Sequence, residues 1–293
     1  MRRWLLDKQA RSSVLSRAVK MLERSNSPTP RLDAEVLLAH ALGLDRMAML
    51  LDLSASISEN ANAVFEKALA LRRSGSPIAY ITGIAEFWSM DFAVSPAVLV
   101  PRPDSEILVR AALDLLPTGV GTKFADLGTG SGCIALSLLS ERDHSSAVGI
   151  DISPDALGVA LQNAQRLGLS ERFHGIEADM GAWLTQGVGL DLIVSNPPYI
   201  ERSAIADLAP SVKVFEPVLA LDGGPDGLDY YRLISEKAVS ALCNDGAIAL
   251  EIGFDQAPTV CSILGDHFAD IQVYRDLAGH PRAITGRLKA KNQ

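Results

Sequence analysis

At 293 residues the chain is longer than one hydrophobic core usually organises, so a large domain with a smaller companion is expected. Hydrophobic residues at 48% and charged residues at 21% describe an ordinary soluble globular composition, and no apolar run approaches the roughly 18 residues of a membrane span, so no transmembrane helix is expected. The net charge of -8 is unevenly spread: residues 1–80 carry 12 Lys+Arg against 8 Asp+Glu, the remainder 15 against 27, which weighs against a duplex nucleic acid partner and favours a protein substrate.

The opening stretch Met1–Asp7 is too short and too charged for a signal peptide, so a cytoplasmic protein is expected. From about Ser12 to Leu71 apolar residues recur at helical spacing, as in Val14, Ala18, Met21 and Leu22, with small polar breaks at Ser25–Pro28, Gly43–Asp45 and Ser54–Ser56. Residues 1–74 therefore read as a small all-α helical bundle that serves as a docking module. Residues 75–103, rich in Gly, Pro, aromatic and β-branched residues, read as a linker containing a β-hairpin. Residues 104–293 alternate short apolar strands with helical stretches. The strands fall at Phe124–Leu127, Ala147–Ile150, Leu190–Val194, Ala247–Ile252 and Ile271–Tyr274, which predicts an α/β domain with an open, mostly parallel sheet covered by helices on both faces.

The first of these strands runs into Asp126-Leu127-Gly128-Thr129-Gly130-Ser131-Gly132. Glycines there permit a sharp strand-to-helix turn and the close approach of a ligand, although a tight turn alone needs glycine as well. The next strand ends in Asp151, followed by Ile152, where an acid can accept both hydroxyls of a ribose. The loop lacks the GxGxxG spacing of a dinucleotide site and carries an acid two residues before its first glycine; Asp126 suits the cationic amino end of S-adenosylmethionine better than a pyrophosphate. A third strand ends before Asp179, which reads either as acceptor for an adenine amino group, with Met180 or Trp183 covering the ring, or as a helix N-cap.

The fourth strand delivers Asn196-Pro197-Pro198-Tyr199 to the carboxyl edge of the sheet. Two prolines remove two backbone donors, so the Asn196 side-chain oxygen and the Pro197 carbonyl can each accept a hydrogen of a planar NH2 group while the Tyr199 ring stacks on its face. Such a nitrogen is a weak nucleophile, and two acceptors that hold both hydrogens favour its attacking geometry, so catalysis is by positioning and electrostatics. The three dispersed cysteines, Cys133, Cys243 and Cys261, read as buried packing residues, and the scattered histidines give no metal site.

DLGTGSG, Asp151 and Asn196–Tyr199 together resemble the class I amino-methyltransferases. Val100-Pro101-Arg102-Pro103-Asp104-Ser105-Glu106 and the stretch from Phe215-Glu216-Pro217 to Tyr231-Arg232, with Ala220-Leu221-Asp222-Gly223-Gly224 inside it, are similar to the peptide chain release factor N5-glutamine methyltransferases over nearly the whole chain. The resemblance implies a Rossmann-like domain with a seven-stranded sheet and S-adenosylmethionine as cofactor. It also implies an acceptor glutamine in the Gly-Gly-Gln motif of class I release factors; with the hydropathy and charge above, no membrane or direct nucleic acid partner is expected. Ser105 stands where that family has Thr, and Met180 where an aromatic is common. Glutamine methylation of a ribosomal large-subunit protein, adenine-N6 methylation of DNA and a non-catalytic adaptor are the alternatives, and the residues leave open whether Arg102, Ser105 and Glu106 line the cofactor entrance or anchor the linker.

Overall fold

The computed structural model describes residues 10–290 and divides into two compact units, the first ending at Gly83 and the second beginning at Ile84. The opening stretch read above for a signal peptide lies outside the described residues. Among the described residues no helix is long and apolar enough to cross a membrane.

The first unit is helical: α1 (Arg11–Glu23), α2 (Pro30–Leu42), α3 (Arg46–Leu51), α4 (Glu59–Arg73) and the short α5 (Ile78–Thr82). The breaks coincide with local chemistry. Pro30 opens α2, Gly43 closes it in the left-handed region at φ 64°, and Asp45 and Ser58 cap α3 and α4 by accepting from the backbone N–H of Ala48 and Ala61. The apolar faces meet in one core around Val14, Leu22, Leu37, Leu38, Phe65 and Leu69, all buried. Within it the buried Asp33 accepts from Ser27, Thr29 and Arg72, which pins the start of α2 to the end of α4.

The second unit begins with the hairpin β1 (Ile84–Phe87) and β2 (Met90–Ala93), whose two turn residues, Trp88 and Ser89, both have positive φ, as a two-residue turn between twisted strands requires. Then come α6 (Glu106–Leu113), β3 (Lys123–Leu127), α7 (Cys133–Glu141), β4 (Ser146–Asp151), α8 (Pro154–Arg166), β5 (Phe173–Glu177), α9 (Met180–Leu184) and β6 (Leu190–Ser195). After α10 (Pro210–Lys213) come α11 (Asp229–Ala241), β7 (Leu242–Glu251), α12 (Ala257–Leu264), β8 (Phe268–Arg275) and β9 (Pro281–Leu288).

Seven strands form one sheet in the order β5-β4-β3-β6-β7-β9-β8, parallel from β5 to β7 and antiparallel at β9 and β8. Alternation along each strand sends neighbours to opposite faces. Phe124, Leu192, Val194 and Ala247 pack under α6, α7 and α8, whereas Ala125, Ile193, Ile248 and Leu250 pack under α9, α11 and α12. The segment 75–103 read as a linker is not a free connector: Phe87 and Phe92 meet edge to face at 6.2 Å inside the core beneath α6 and α7. The sequence reading also omitted β9, which runs between β7 and β8 against the direction of the parallel strands. The cysteines are free and half-buried rather than fully buried.

Candidate active site

In the sheet order, β3 sits between β4 and β6, so the chain crosses over in opposite directions on its two sides and a crevice opens beyond the carboxyl ends of these strands. The loop after β3 is built for close approach. Gly128, Gly130 and Gly132 have φ of 70°, 56° and 78°, and the N–H groups of Gly128 and Thr129 donate to the Ile150 carbonyl at 2.8 and 3.0 Å, stitching the loop to β4. The Gly130 N–H donates to Asp151 Oδ2 at 2.9 Å and the Ser153 N–H to Asp151 Oδ1 at 2.9 Å. Each carboxylate oxygen carries a second lone pair, so Asp151 can still receive hydroxyls from the cleft that it lines.

Gly128, Thr129, Gly130, Ser131, Asp151, Ile152, Asp179, Met180 and Asn196, the candidates for holding a cofactor, all line one cleft. Asp179 does both things weighed for it: its Oδ1 caps α9 by accepting from the Ala182 N–H at 2.9 Å, and the residue faces the cleft. Three expectations are corrected. Trp183 is 4% exposed and packs in the core beside Ile193 and Tyr231, because it lies on the face of α9 that meets the sheet. Tyr230, which the sequence reading passed over, is the aromatic residue in the cleft wall. Gly132 serves helix packing: a Cβ there would come within 3.1 Å of Leu136 and 3.3 Å of Ala160. Asp126 does not line the cleft but lies wholly buried behind the loop, where its Oδ2 accepts from Thr129 Oγ1 at 2.8 Å and its Oδ1 has no partner. Burial raises its carboxyl to about 7, against the pull of the Thr129 hydroxyl.

The opposite wall comes from Val98 to Ser105 and from Pro217 to Ala220. Arg102 joins the two by donating to both oxygens of Glu216 at 2.6 and 2.7 Å. Glu216 is buried, and burial keeps its carboxyl raised in spite of the guanidinium. Glu106 lies outside this wall: its carboxylate accepts the Trp88 N–H at 2.9 Å and so anchors the hairpin turn. Asn163 on α8, fully buried, accepts from the Ala93 N–H and donates to the carbonyls of Ala93 and Ser131, tying the hairpin to the glycine loop. Among the cleft-lining residues Arg102 is the one cation and it is already paired, while Asp151 and Asp179 face the space. Such a set of acceptors fits a nucleoside with free hydroxyls and no pyrophosphate.

The acceptor motif is held to this cleft from several directions. Ser195 Oγ donates to the Leu127 carbonyl at 2.6 Å and so fastens the end of β6 to the end of β3. Asn196 and Pro198 line the cleft, Pro197 is buried behind them, and Asn196 Nδ2 donates to Ser105 Oγ at 3.4 Å. Tyr199, expected beside the substrate, is not among the cleft-lining residues; its hydroxyl donates to Glu251 Oε1 at 3.4 Å, and Gln256 Nε2 donates to the Tyr199 carbonyl at 3.0 Å. The loop Leu221–Gly227 packs on the motif backbone. A Cβ at Gly223 would lie 2.8 Å from Tyr199 Cα, and one at Gly227 2.5 Å from the Tyr199 carbonyl oxygen. Glu251 and Gln256 were not anticipated; the available signal was an acid closing the otherwise apolar strand Ala247–Ile252.

The PrmC N-terminal domain family matches residues 13–83, and the Methyltransferase small domain family matches residues 104–212. The chain is 43% identical over 272 residues to the release factor glutamine methyltransferase of Moorella thermoacetica, covering 92% of this chain and 95% of that protein. It is 40% identical to the protein of that name from Vibrio cholerae, covering 96% and 98%. Among solved structures, a methyltransferase from Pyrococcus furiosus superposes with a TM-score of 0.51 at 15% identity, covering 78% of this chain and 98% of that one, which shows a shared fold.

Proposed function

The chain belongs to the release factor glutamine methyltransferases, and from that premise we propose that it transfers a methyl group from S-adenosylmethionine to the side-chain amide nitrogen of the glutamine in the Gly-Gly-Gln motif of class I peptide chain release factors. The observation that carries this reading is that Asn196 lines the same cleft as Gly128–Ser131 and Asp151, so an amide held by the acceptor motif meets a donor held by the loop. S-adenosylmethionine, when bound, supplies a methyl group on a sulfonium.

The residues do the rest by placement. Asp151 receives the ribose hydroxyls, Asp179 the adenine amino group, and Met180 and Tyr230 flank the ring. Asn196 Oδ1 and the Pro197 carbonyl each accept one hydrogen of the substrate amide, with the Tyr199 ring beside it, which orients the nitrogen lone pair along the line of attack. The nitrogen sheds its proton after transfer, so no ionised side chain has to touch it beforehand. The partner is a protein of the translation apparatus, which puts the reaction in the cytoplasm.

The test is incubation with methyl-labelled S-adenosylmethionine and, in parallel, a bacterial release factor, the same factor with its Gly-Gly-Gln glutamine replaced by alanine, large-subunit ribosomal proteins, and DNA. Label on the intact release factor alone, abolished in Asn196→Ala, is the expected result. Label only on ribosomal protein or DNA overturns the substrate assignment.

A further inference from the structure

We propose that Glu251, at the carboxyl end of β7, is a positioning residue that decides which end of the Asn196 side-chain amide faces the substrate, acting through the Ser105 hydroxyl, while it anchors Tyr199. The inference rests on the amide-methylation reading above. An asparagine amide is nearly symmetric in shape, so its oxygen and nitrogen exchange places at little steric cost and the choice must come from a neighbour. Here the neighbour is Ser105, 3.4 Å from Asn196 Nδ2. A hydroxyl has one proton to give. Glu251, as a carboxylate, can only accept: its Oε1 takes the Tyr199 hydroxyl at 3.4 Å, and the Ser105 hydroxyl lies close enough to act on the same carboxyl, whose pull turns the Ser105 proton toward it. Ser105 is then left with lone pairs toward Asn196, so only the NH2 end can face it. The carbonyl end of Asn196 is turned away from Ser105, free to accept from a substrate amide.

The chain of donors, Asn196 to Ser105 to Glu251 from one side and Tyr199 to Glu251 from the other, lies out of water: Ser105 is 2% and Glu251 4% exposed. A carboxylate enclosed at the end of an apolar strand is costly, and no packing need accounts for it. Its Oε2 has no hydrogen-bond partner, and turning the Ser105 proton toward it supplies one. The other groups facing Glu251 do not compete for this role. Arg282 and Asp104 act on it with opposite signs, and Tyr231 donates to its backbone carbonyl at 3.0 Å. A glutamine at 251 can offer an N–H to Ser105, which reverses the chain and turns the Asn196 NH2 toward the substrate NH2, donor against donor.

Steady-state kinetics on the full chain with a release factor, calorimetric binding of S-adenosylmethionine, thermal melting at pH 8, and NMR of the Asn196 side-chain amide test this together. Glu251→Gln is expected to lower kcat by about 10²-fold, the scale of losing one oriented polar contact in a transition state. Its donor affinity should stay within about twofold and its melting temperature at or above that of the native chain, since the substitution removes a buried charge. Ser105→Ala should lower kcat by at least tenfold, about 1.4 kcal/mol, and Ser105→Thr should restore it. In the native chain the Asn196 amide protons should show close contacts to Ser105 that vanish in Glu251→Gln.

Native kcat in Glu251→Gln, or a loss of activity that follows loss of donor binding or melting, overturns the proposal, as does a Ser105→Thr chain no better than Ser105→Ala. If the native chain methylates no glutamine, the functional reading fails, and the Asn196 amide contacts still decide the orientation independently.

Discussion

Two carboxyls sit wholly buried behind the cleft walls, Asp126 under the glycine loop and Glu251 under the acceptor motif, and burial raises each to about 7. For Asp126 the unfolded value is near 3.8, so between pH 4 and pH 7 the folded chain holds a proton that the unfolded chain has released. Stability attributable to this group is therefore greatest at low pH, declines as pH rises through that window, and is flat above it. Asp126→Asn lacks the titration. Its unfolding free energy relative to the native chain should improve by up to roughly 1.4 kcal/mol per pH unit from pH 4 to pH 7 and then level off. Melting curves of both chains across pH 4 to 9 check this, and a difference independent of pH would mean that the carboxyl titrates as if exposed. Arg102 makes the converse case. Arg102→Met leaves Glu216 buried without its guanidinium, so the segment Pro217–Ala220 loses its tie to the opposite wall, and calorimetry should show weaker S-adenosylmethionine binding, by tenfold or more on the scale of about 1–3 kcal/mol for an unpaired buried polar group.

At the scale of the element, the loop Leu221–Gly227 and the motif Asn196–Tyr199 behave as one piece, because backbone lies against backbone with no room for a side chain. Gly223→Ala would set a Cβ 2.8 Å from Tyr199 Cα and 2.9 Å from the Pro198 carbonyl oxygen, neither of which can swing aside as a side chain can. The acceptor loop must shift, and kcat should fall by about 10²-fold with donor affinity nearly unchanged, since a misplacement on the ångström scale has that effect on an aligned reaction. Gly158, within α8, is the contrast: nothing lies within 4 Å of a Cβ there, so Gly158→Ala should raise stability by about 0.5–1 kcal/mol, measured by denaturant melts, and leave kcat alone. The two substitutions add the same methyl group and differ only in what surrounds it.

For the whole molecule, each unit carries its own core, and the helical one is small enough for a single cavity to matter. Leu37 and Phe65 are fully buried there. Leu37→Ala should cost about 2–5 kcal/mol, a large share of what a unit of this size can hold in reserve. Since the cleft residues all belong to the second unit, S-adenosylmethionine binding should persist. The KM for a full-length release factor should rise while turnover of a short glutamine peptide stays near its native value. Circular dichroism with kinetics on both substrates checks this, and equal losses on the two would deny the helical unit a docking role.

The chain's α/β order, its glycine loop, Asp151 and the Asn-Pro-Pro-Tyr motif were legible in the amino-acid sequence because each depends on local covalent chemistry: glycine for positive φ, proline for a missing N–H, and a hydrophobic period of two or 3.6. The membership of Met180 and Asp179 in the cleft followed from their place just beyond a parallel strand. What the tertiary structure alone decided lies in pairings across long separations. Glu251 meets Tyr199 across 52 residues, Arg102 meets Glu216 across 114, and Asn163 reaches Ala93 across 70. No local pattern encodes these partners. The same holds for the facing of a side chain on a short element: Trp183 was the aromatic candidate beside the cleft and Tyr230 was passed over, and only the packing of α9 and α11 against the sheet put the first in the core and the second at the wall. Asp126 looked inward for the same reason, since the pleat of β3 turns it away from the ligand and leaves a buried carboxyl holding the loop from behind.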